Sequence, residues 1–427
     1  MTEALINAFL NSGSISTDSR TIKGGEIFFA IRGDNYDGNR FAPNAIEKGA
    51  AIAVIDDAAY AVSNRYILVE DVLKSLQDLA SHYRSRLSVP IVALTGTNGK
   101  TTTKELITRV LQKKYKVSST KGNLNNHIGV PLSILSIPQD AEIAVLEMGA
   151  NHIGEIDFLC RIARPTHGLI TNIGKAHLEG FGSQEGVIKA KSELFRYISE
   201  THGTLFVNND DELLMDLSKD KQRVTYGTSS KADIHAVIAA EDPFLQIKWD
   251  SPEGELHFTT SLYGIYNFQN ILAAICTGQY FNVNAKDTAD AIAGYIPENN
   301  RSQIVQTDNN LIFLDAYNAN PSSMAQALNF FSMRKAKQKV IVLGDMLELG
   351  QESESEHRKV LDSVKGKFNK VILCGHIFTG FTGEFDYQFF QDTVVLKEWL
   401  QKHPLQNAEI LIKGSRKIGL ETLLPEL

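Results

Sequence analysis

Cysteine is scarce in this chain: Cys160, Cys276 and Cys374 are the only three in 427 residues. Their wide spacing matches neither a zinc motif nor a framework of paired disulfides, so buried thiols in a reducing compartment are expected. Dense Lys/Arg tracts are missing and the formal net charge is -7, which leaves out the electrostatic footprint of a nucleic-acid binder. No stretch reaches the roughly 20 apolar residues of a membrane span. Met1-Thr2-Glu3-Ala4-Leu5 carries no basic region ahead of an apolar run, so a cytoplasmic protein without membrane insertion is expected. The sequence shows no solenoid-period repeat and no low-complexity segment. It also lacks the Asn-Lys-x-Asp base-reading motif of a GTPase, because Asn369-Lys370-Val371-Ile372 fails at its last position.

What remains is ordinary globular composition, 43% hydrophobic and 22% charged. A chain this long is expected to form three domains, at roughly 100 to 200 residues each. The first, residues 1–87, reads as a small α/β unit with strands at 27–31, 51–55 and 67–69 and helices at 41–48 and 72–86. The second, residues 88–300, opens on the continuous apolar segment Val89-Pro90-Ile91-Val92-Ala93-Leu94, the pattern of a strand buried on both faces. A glycine-rich loop and a helix over 100–113 follow. Further strands at 143–146 and 168–171 alternate with helices, which implies βαβ units and a mainly parallel sheet. The alternation over 233–262 predicts an antiparallel flap, and a helix covers 268–281. After the polar joint Pro297-Glu298-Asn299-Asn300-Arg301, residues 301–427 repeat the rhythm with strands at 311–314, 340–343, 371–373 and 409–412, a doubly wound, Rossmann-like third domain.

The loop reads Gly96-Thr97-Asn98-Gly99-Lys100-Thr101-Thr102, with two fewer residues between its glycines than the general phosphate-loop pattern. A buried strand, a glycine turn and a helix starting at Lys100 would aim backbone N–H groups and the helix's positive end at phosphate oxygens. Lys100 would neutralise the β- and γ-phosphates, and the Thr101 hydroxyl would hold magnesium. The central unit is therefore expected to be a P-loop ATPase domain. Glu147 ends the strand at 143–146, at the edge where open α/β sheets bind ligands, and is placed to bind the metal. His177, just past the strand ending at Thr171, falls on the same edge.

Lys191 is unusual. Val187, Ala190, Lys191, Leu194, Phe195 and Ile198 form one helical stripe, which puts Lys191 on a face that should be apolar. Its stem could snorkel to solvent from the rim of the core. Alternatively, desolvation could lower its pKa and leave a neutral amine able to capture carbon dioxide as a carbamate, turning a cation into an anionic metal ligand.

These segments resemble the Mur ligase family of peptidoglycan precursor enzymes nearly end to end. The resemblance runs through Thr17-Asp18-Ser19-Arg20, Gly96 to Thr103, Lys121-Gly122-Asn123-Leu124-Asn125-Asn126 and Glu147-Met148-Gly149-Ala150-Asn151-His152. It continues through Ala176-His177-Leu178-Glu179-Gly180-Phe181-Gly182, Lys189-Ala190-Lys191, Asp315-Ala316-Tyr317-Asn318-Ala319-Asn320-Pro321, Gly344-Asp345-Met346-Leu347-Glu348-Leu349-Gly350 and Lys413-Gly414-Ser415-Arg416. The short glycine loop is the family's own form. One departure is Asn300 before Arg301, where the family usually has glycine.

The resemblance implies an ATP-dependent amide-bond-forming ligase that works as a monomer on UDP-N-acetylmuramoyl-tripeptide and D-alanyl-D-alanine. The neighbouring possibility is addition of a single amino acid to a UDP-muramyl or folyl substrate. It also implies that the first domain binds the UDP precursor, the second ATP and the third the incoming dipeptide. Thr17, Asp18, Ser19 and Arg20 would lie near the uridine diphosphate, although a polar turn would use the same residues. Asn126 and Lys413 would serve the substrates, Asn267 and Asn270 the adenine, Arg301 the phosphates, and Asp315 and Asn318 the ribose or base. Two magnesium ions would be held by Thr101, Glu147, His177 and carbamylated Lys191, with Lys100, His177 and Lys191 as the catalytic set.

Overall fold

The strand Ile91–Thr95 explains the middle of the molecule. Side chains alternate across a strand; Ile91 and Ala93 enter one apolar core while Val92 and Leu94 enter another on the opposite face. Ile143–Glu147 repeats this, with Ala144 and Leu146 on the first side and Ile143 and Val145 on the second. Continuous apolar runs are thus the signature of a sheet covered on both faces. The strand begins at Ile91 rather than Val89 because Pro90 has no N–H to give to a ladder; its carbonyl still accepts from Ala144 N–H at 3.0 Å.

The computed structural model describes residues 3–175 and 178–427. Among them, Ile91–Thr95 sits inside a nine-stranded sheet, between Ile143–Glu147 and His167–Ile170, with parallel pairing on both sides. The chain leaves Ile91–Thr95 toward Val117–Ser119 at one edge and returns on the other side at His167–Ile170. This reversal opens a crevice at the carboxyl ends of the two strands, where ligands bind in open α/β sheets. The expected flap is the strands Ile234–Ala240, Gln246–Ser251 and Gly254–Thr259. They pair antiparallel with one another and extend the far edge of the same sheet.

Val117–Ser119, Thr204–Asn208 and Arg223–Gly227 were not expected as strands. The first is a short, half-buried edge strand with no apolar alternation to reveal it. Thr204–Asn208 is fully buried and bounded by Gly203 and by Asn209-Asp210, so turn residues on both sides were its legible signal.

The first domain is a four-stranded parallel sheet, Ile15–Ser16, Ile27–Phe29, Ile52–Ile55 and Tyr66–Leu68 in chain order. Its helix Val72–Ser85, capped by the Asp71 carboxylate on Lys74 N–H, packs into the same core as the central helices Gly129–Leu135 and Glu155–Ala163. Arg84 closes that seam. Its buried guanidinium donates to the carbonyls of Ala163 at 2.7 Å and Arg164 at 3.0 Å, helix-end oxygens that have no partner within the helix, and to Leu87 O at 2.7 Å in the segment after its own helix.

The last sheet has six strands, ordered Gln303–Gln306, Leu311–Asp315, Glu409–Lys413, Lys339–Gly344, Lys370–Cys374 and Gln388–Phe390. Only the first pair is antiparallel; the others are parallel. Two apolar clusters cover its faces. Cys160, Cys276 and Cys374 are all free and buried, as expected from their spacing. No described helix is long and apolar enough to cross a membrane.

Candidate active site

The loop after Thr95 can take its shape only with glycine at two positions. Gly96 has φ 147°, and a Cβ there would fall 2.0 Å from Thr171 Oγ1. Gly99 has φ 78°, and a Cβ would fall 2.5 Å from Asn270 Oδ1. The left-handed turn at Gly99 then releases the helix Lys100–Leu111, so the N-terminal N–H groups of that helix face the crevice. Gly99→Ala should therefore weaken nucleotide binding at least tenfold and destabilise the fold by about 1–2 kcal/mol from the left-handed backbone alone. Titration with a nucleotide and a thermal melt would check it; an unchanged dissociation constant would remove the loop from phosphate binding.

Side chains pin the rest of the loop. Asn98 N–H donates to Asn172 Oδ1 at 3.0 Å, and Asn98 O accepts from Thr171 Oγ1 at 2.6 Å and Asn172 Nδ2 at 3.0 Å. The Asn98 amide reaches across to the third domain, donating to Ser322 Oγ and accepting from Asn320 Nδ2, both at 2.8 Å. Asn320 also caps the helix Pro321–Met333, an Asn-Pro helix start legible in the sequence. Its link to the loop was not.

Lys100 Nζ is folded back on the loop, donating to Gly96 O at 2.7 Å and Thr97 O at 3.1 Å. Burial pushes its pKa down from the ordinary lysine value; Glu147 opposes that shift and Arg301 adds to it.

Alternation puts Glu147 on the same sheet face as Ile143 and Val145, the face the helix Lys100–Leu111 covers. It meets Thr101 there: Thr101 Oγ1 donates to Glu147 Oε2 at 2.9 Å, and Asn125 Nδ2 donates to Oε1 at 2.8 Å. Glu147 is 2% exposed. A buried carboxylate and a hydroxyl at the phosphate loop form an oxygen donor set of the kind a hard cation takes. Asn125 had no role in the sequence-based expectation, although it lies within the Lys121–Asn126 segment.

The wall opposite is built by amides. Asn270 Oδ1 accepts from Thr103 Oγ1 at 3.0 Å, and its Nδ2 donates to Asn267 Oδ1 at 2.9 Å. Asn267 Nδ2 donates to Tyr263 O at 2.8 Å and Ser302 Oγ at 3.1 Å. From the third domain, Arg301 lies over the Tyr317 ring at 3.5 Å, and Lys413 Nζ pairs with Asp315 and donates to Asn318 O.

One cleft of about 780 Å3 joins these groups. Its lining includes Thr97, Asn98, Gly99, Lys100, Thr101, Thr102, Asn126, Glu147, Asn267, Asn270, Arg301, Asp315, Asn318 and Lys413. Gly96 is not among the residues that line the cleft. Asn126 reaches it with its Oδ1 turned inward to accept from Gly129 N–H at 2.9 Å and Ile128 N–H at 3.2 Å, the start of a helix.

Thr17, Asp18, Ser19 and Arg20 are not brought to this cleft. They form a turn in the first domain where the Arg20 guanidinium, paired with Asp18 at 2.8 Å, helps hold that carboxyl down to about 2. His177 lies outside the described residues.

Lys191 does not line the cleft either. The helix Gln184–Glu200 buries Val187, Ala190, Lys191, Leu194, Phe195 and Ile198, the expected stripe, and Lys191 is 2% exposed. Its stem does not snorkel. Nζ donates to Ala150 O at 3.4 Å and lies 5.4 Å from the Phe181 ring centroid. Desolvation pushes the amine down to about 7; the charge of Lys100 adds to the shift, and Glu155 and Glu193 oppose it. Glu193, which the sequence did not flag, fixes the neighbouring backbone by accepting from Gly154 N–H at 2.7 Å and Asp157 N–H at 3.0 Å.

Three α/β sheets, a glycine loop at a topological crevice and a cleft closed by a second α/β domain define a phosphate-binding enzyme that works between domains. The chain belongs to the Mur ligase family. Residues 13–84 match the family's "Mur ligase family, catalytic domain", 94–278 its "Mur ligase middle domain" and 300–415 its "Mur ligase, glutamate ligase domain". The UDP-N-acetylmuramoyl-tripeptide–D-alanyl-D-alanine ligase of Bacillus subtilis (strain 168) is 36% identical, over 97% of this chain and 92% of that protein. A crystal structure of MurF from Acinetobacter baumannii aligns with TM-score 0.86 at 30% identity, covering 97% of this chain and 93% of that one. MurF ligase from Thermotoga maritima, solved with ADP, aligns with TM-score 0.85 at 25% identity, covering 100% and 98%.

Proposed function

We propose that this enzyme joins D-alanyl-D-alanine to UDP-N-acetylmuramoyl-tripeptide with ATP, as a cytoplasmic step of peptidoglycan precursor synthesis. The observation that carries the proposal is the single cleft in which the phosphate loop, Glu147 and third-domain residues meet. The names of full-length relatives at 30–36% identity support the choice of substrates.

A carboxylate is a poor electrophile and must be activated. An oxygen of the tripeptide's terminal carboxylate attacks the γ-phosphorus of ATP, the bond to ADP breaks, and an acyl phosphate forms. The amine of the dipeptide attacks the acyl carbon, a proton leaves the nitrogen, and phosphate departs. Two anions must meet in the first step; unit charges 4 Å apart repel by about 4 kcal/mol at an effective dielectric near 20. Lys100 releases the loop carbonyls and offsets that repulsion at the γ-phosphate.

The oxygens of Thr101 and Glu147 would hold one magnesium ion; a second, implied by the family resemblance, would fall to Glu147, His177 and a carbamate on Lys191. Such ions, when bound, neutralise phosphate charge. Asn267, Asn270, Asp315 and Asn318 flank the nucleoside and Arg301 its phosphates. Thr17 to Arg20 serve the uridine diphosphate at a distance from the chemistry, with Asn126 and Lys413 toward the substrates. Within this scheme residues 1–87 receive the precursor, 88–300 the ATP and 301–427 the dipeptide. Closure of the third domain keeps water from the acyl phosphate.

The direct test measures phosphate release with ATP, UDP-N-acetylmuramoyl-tripeptide and D-alanyl-D-alanine, omitting each in turn. Release should need all three, and single amino acids in place of the dipeptide should support less than about a hundredth of the rate, the discrimination expected where a missing partner leaves polar groups unpaired. Release that ignores either substrate would defeat the proposal.

A further inference from the structure

Asn98 lies between the two glycines of the phosphate loop, and its backbone is secured from within the central domain by Thr171 and Asn172. Its side chain is not. Among the described residues, both hydrogen bonds of the Asn98 amide go to the third domain, to Asn320 and Ser322, which stand 222 and 224 residues further along the chain.

The direction of each bond is fixed. Asn320 caps its helix: Oδ1 accepts from Ser323 N–H at 2.9 Å, and Asn320 N–H donates to Ser323 Oγ at 3.1 Å. That commits Oδ1 to the helix, so Nδ2 is the end that faces Asn98, and Asn98 must offer its Oδ1. Asn98 Nδ2 is left for Ser322 Oγ, whose own proton goes to Asn320 Oδ1 at 2.9 Å. Three side chains thus close a ring in which every bond has one donor and one acceptor, an arrangement in which each bond polarises the next. The central domain makes room for it, since a Cβ on Gly174 would fall 3.1 Å from Ser322 Oγ. Gly174 is itself tied to the loop: Thr97 Oγ1 donates to its carbonyl at 3.1 Å and accepts from its N–H at 2.9 Å.

The ring also anchors a piece of the cleft wall. Asp315 ends the strand Leu311–Asp315, and Asn320 precedes the helix Pro321–Met333. Lys413 holds the segment between them at its other end, through Asp315 and Asn318 O. Asp315, Asn318, Asn320 and Lys413 line the cleft together with Lys100. Resting on the function proposed above, we infer that Asn320 and Ser322 are positioning residues: through Asn98 they seat the third domain on the phosphate loop and keep it seated while the acyl phosphate exists. Neither touches the reacting atoms. With the ring broken, the third domain rocks on the loop and water reaches the acyl phosphate. The oxygen of that water joins the intermediate, one of its protons passes to phosphate and the other to solvent, and the tripeptide carboxylate is regenerated without an amide bond.

The test compares the parent with the double variant Asn320→Ser/Ser322→Ala, measuring phosphate and amide product together. Serine caps a helix as well as asparagine does but is too short to reach Asn98, and alanine favours the helix, so the melting temperature should hold. The parent should release one phosphate for each amide bond. The double variant should release about three or more for each and form amide about tenfold more slowly, the order expected from two lost neutral hydrogen bonds. Ser322→Ala alone, which leaves the cap intact, should show the same uncoupling to a smaller extent. Asn98→Ala should reproduce both changes, and adding it to the double variant should bring no further loss, as for members of one network. Fully additive losses would overturn the ring as the link. A merely structural ring predicts a lower melting temperature with the stoichiometry unchanged. One phosphate per amide at the parental rate in the folded double variant overturns the positioning role and leaves the ligase reading intact. A parent enzyme that makes no amide from the dipeptide overturns both.

Discussion

Lys191→Met should give a more stable protein that no longer ligates. The fold buries an amine whose pKa is pushed down from 10.5 to about 7. In the unfolded chain the same amine keeps its proton up to 10.5, so between those values the unfolded state binds more protons and parent stability rises with pH. Below pH 7 the whole penalty is present; above 10.5 it is gone. Methionine fills similar space without charge, so in bicarbonate-free buffer the variant should exceed the parent by about 2 kcal/mol or more at pH 6–7, where each pKa unit is worth about 1.4 kcal/mol. That advantage should fade toward pH 10.5. Thermal melts across this range would read it directly, and a pH-independent difference would mean that Lys191 is not desolvated.

Activity should move the other way. Without an amine there is no carbamate, and phosphate release coupled to ligation should fall by about a thousandfold or more, on the order of 4 kcal/mol in the barrier. Lys191→Ala should lose as much, but short carboxylates such as acetate should restore part of it, because alanine leaves room where the carbamate would sit. Near-normal turnover in either variant would remove the carbamate from the mechanism.

Lys100→Ala is expected to be nearly as damaging for a different reason. Lys100 Nζ rests on Gly96 O and Thr97 O, and the residue lines the cleft. Stabilisation of transferring phosphoryl charge by one such group contributes about 3–4 kcal/mol, so kcat should fall by about a hundredfold to a thousandfold. The loop itself is held by Asn98, Thr171 and Asn172 rather than by the lysine, so the melting temperature should change little. A large loss of stability with kcat preserved would assign Lys100 to the loop's architecture instead.

The two lysines also mark how far the sequence could be read. Lys191 stood out because helical periodicity is local, and the stripe named from spacing is the one the helix buries. Whether its stem reached solvent was open, since that depends on Ala150 and Phe181, brought over it from elsewhere in the chain. Glu147 was legible for a similar reason: a carboxylate at the end of an apolar strand has its face set by alternation. Its partner Asn125 was not, because a loop residue acquires a direction only once the loop is closed. Thr17 to Arg20 form a turn outside the cleft; a turn is legible from its local residues, whereas the uridine diphosphate role proposed for it rests on the resemblance.

By itself the sequence determined the apolar strands, the glycine turn before Lys100, the buried stripe around Lys191 and membership in a family of ligases, all of which rest on interactions between near neighbours or on short motifs. Only the tertiary structure decided that the first domain shares a core with the second and that Asn98 is tied to Asn320 and Ser322. Those contacts join residues far apart in the chain, and no periodicity encodes them; they exist because separate apolar faces must be buried at once and the polar groups left between them must find one another.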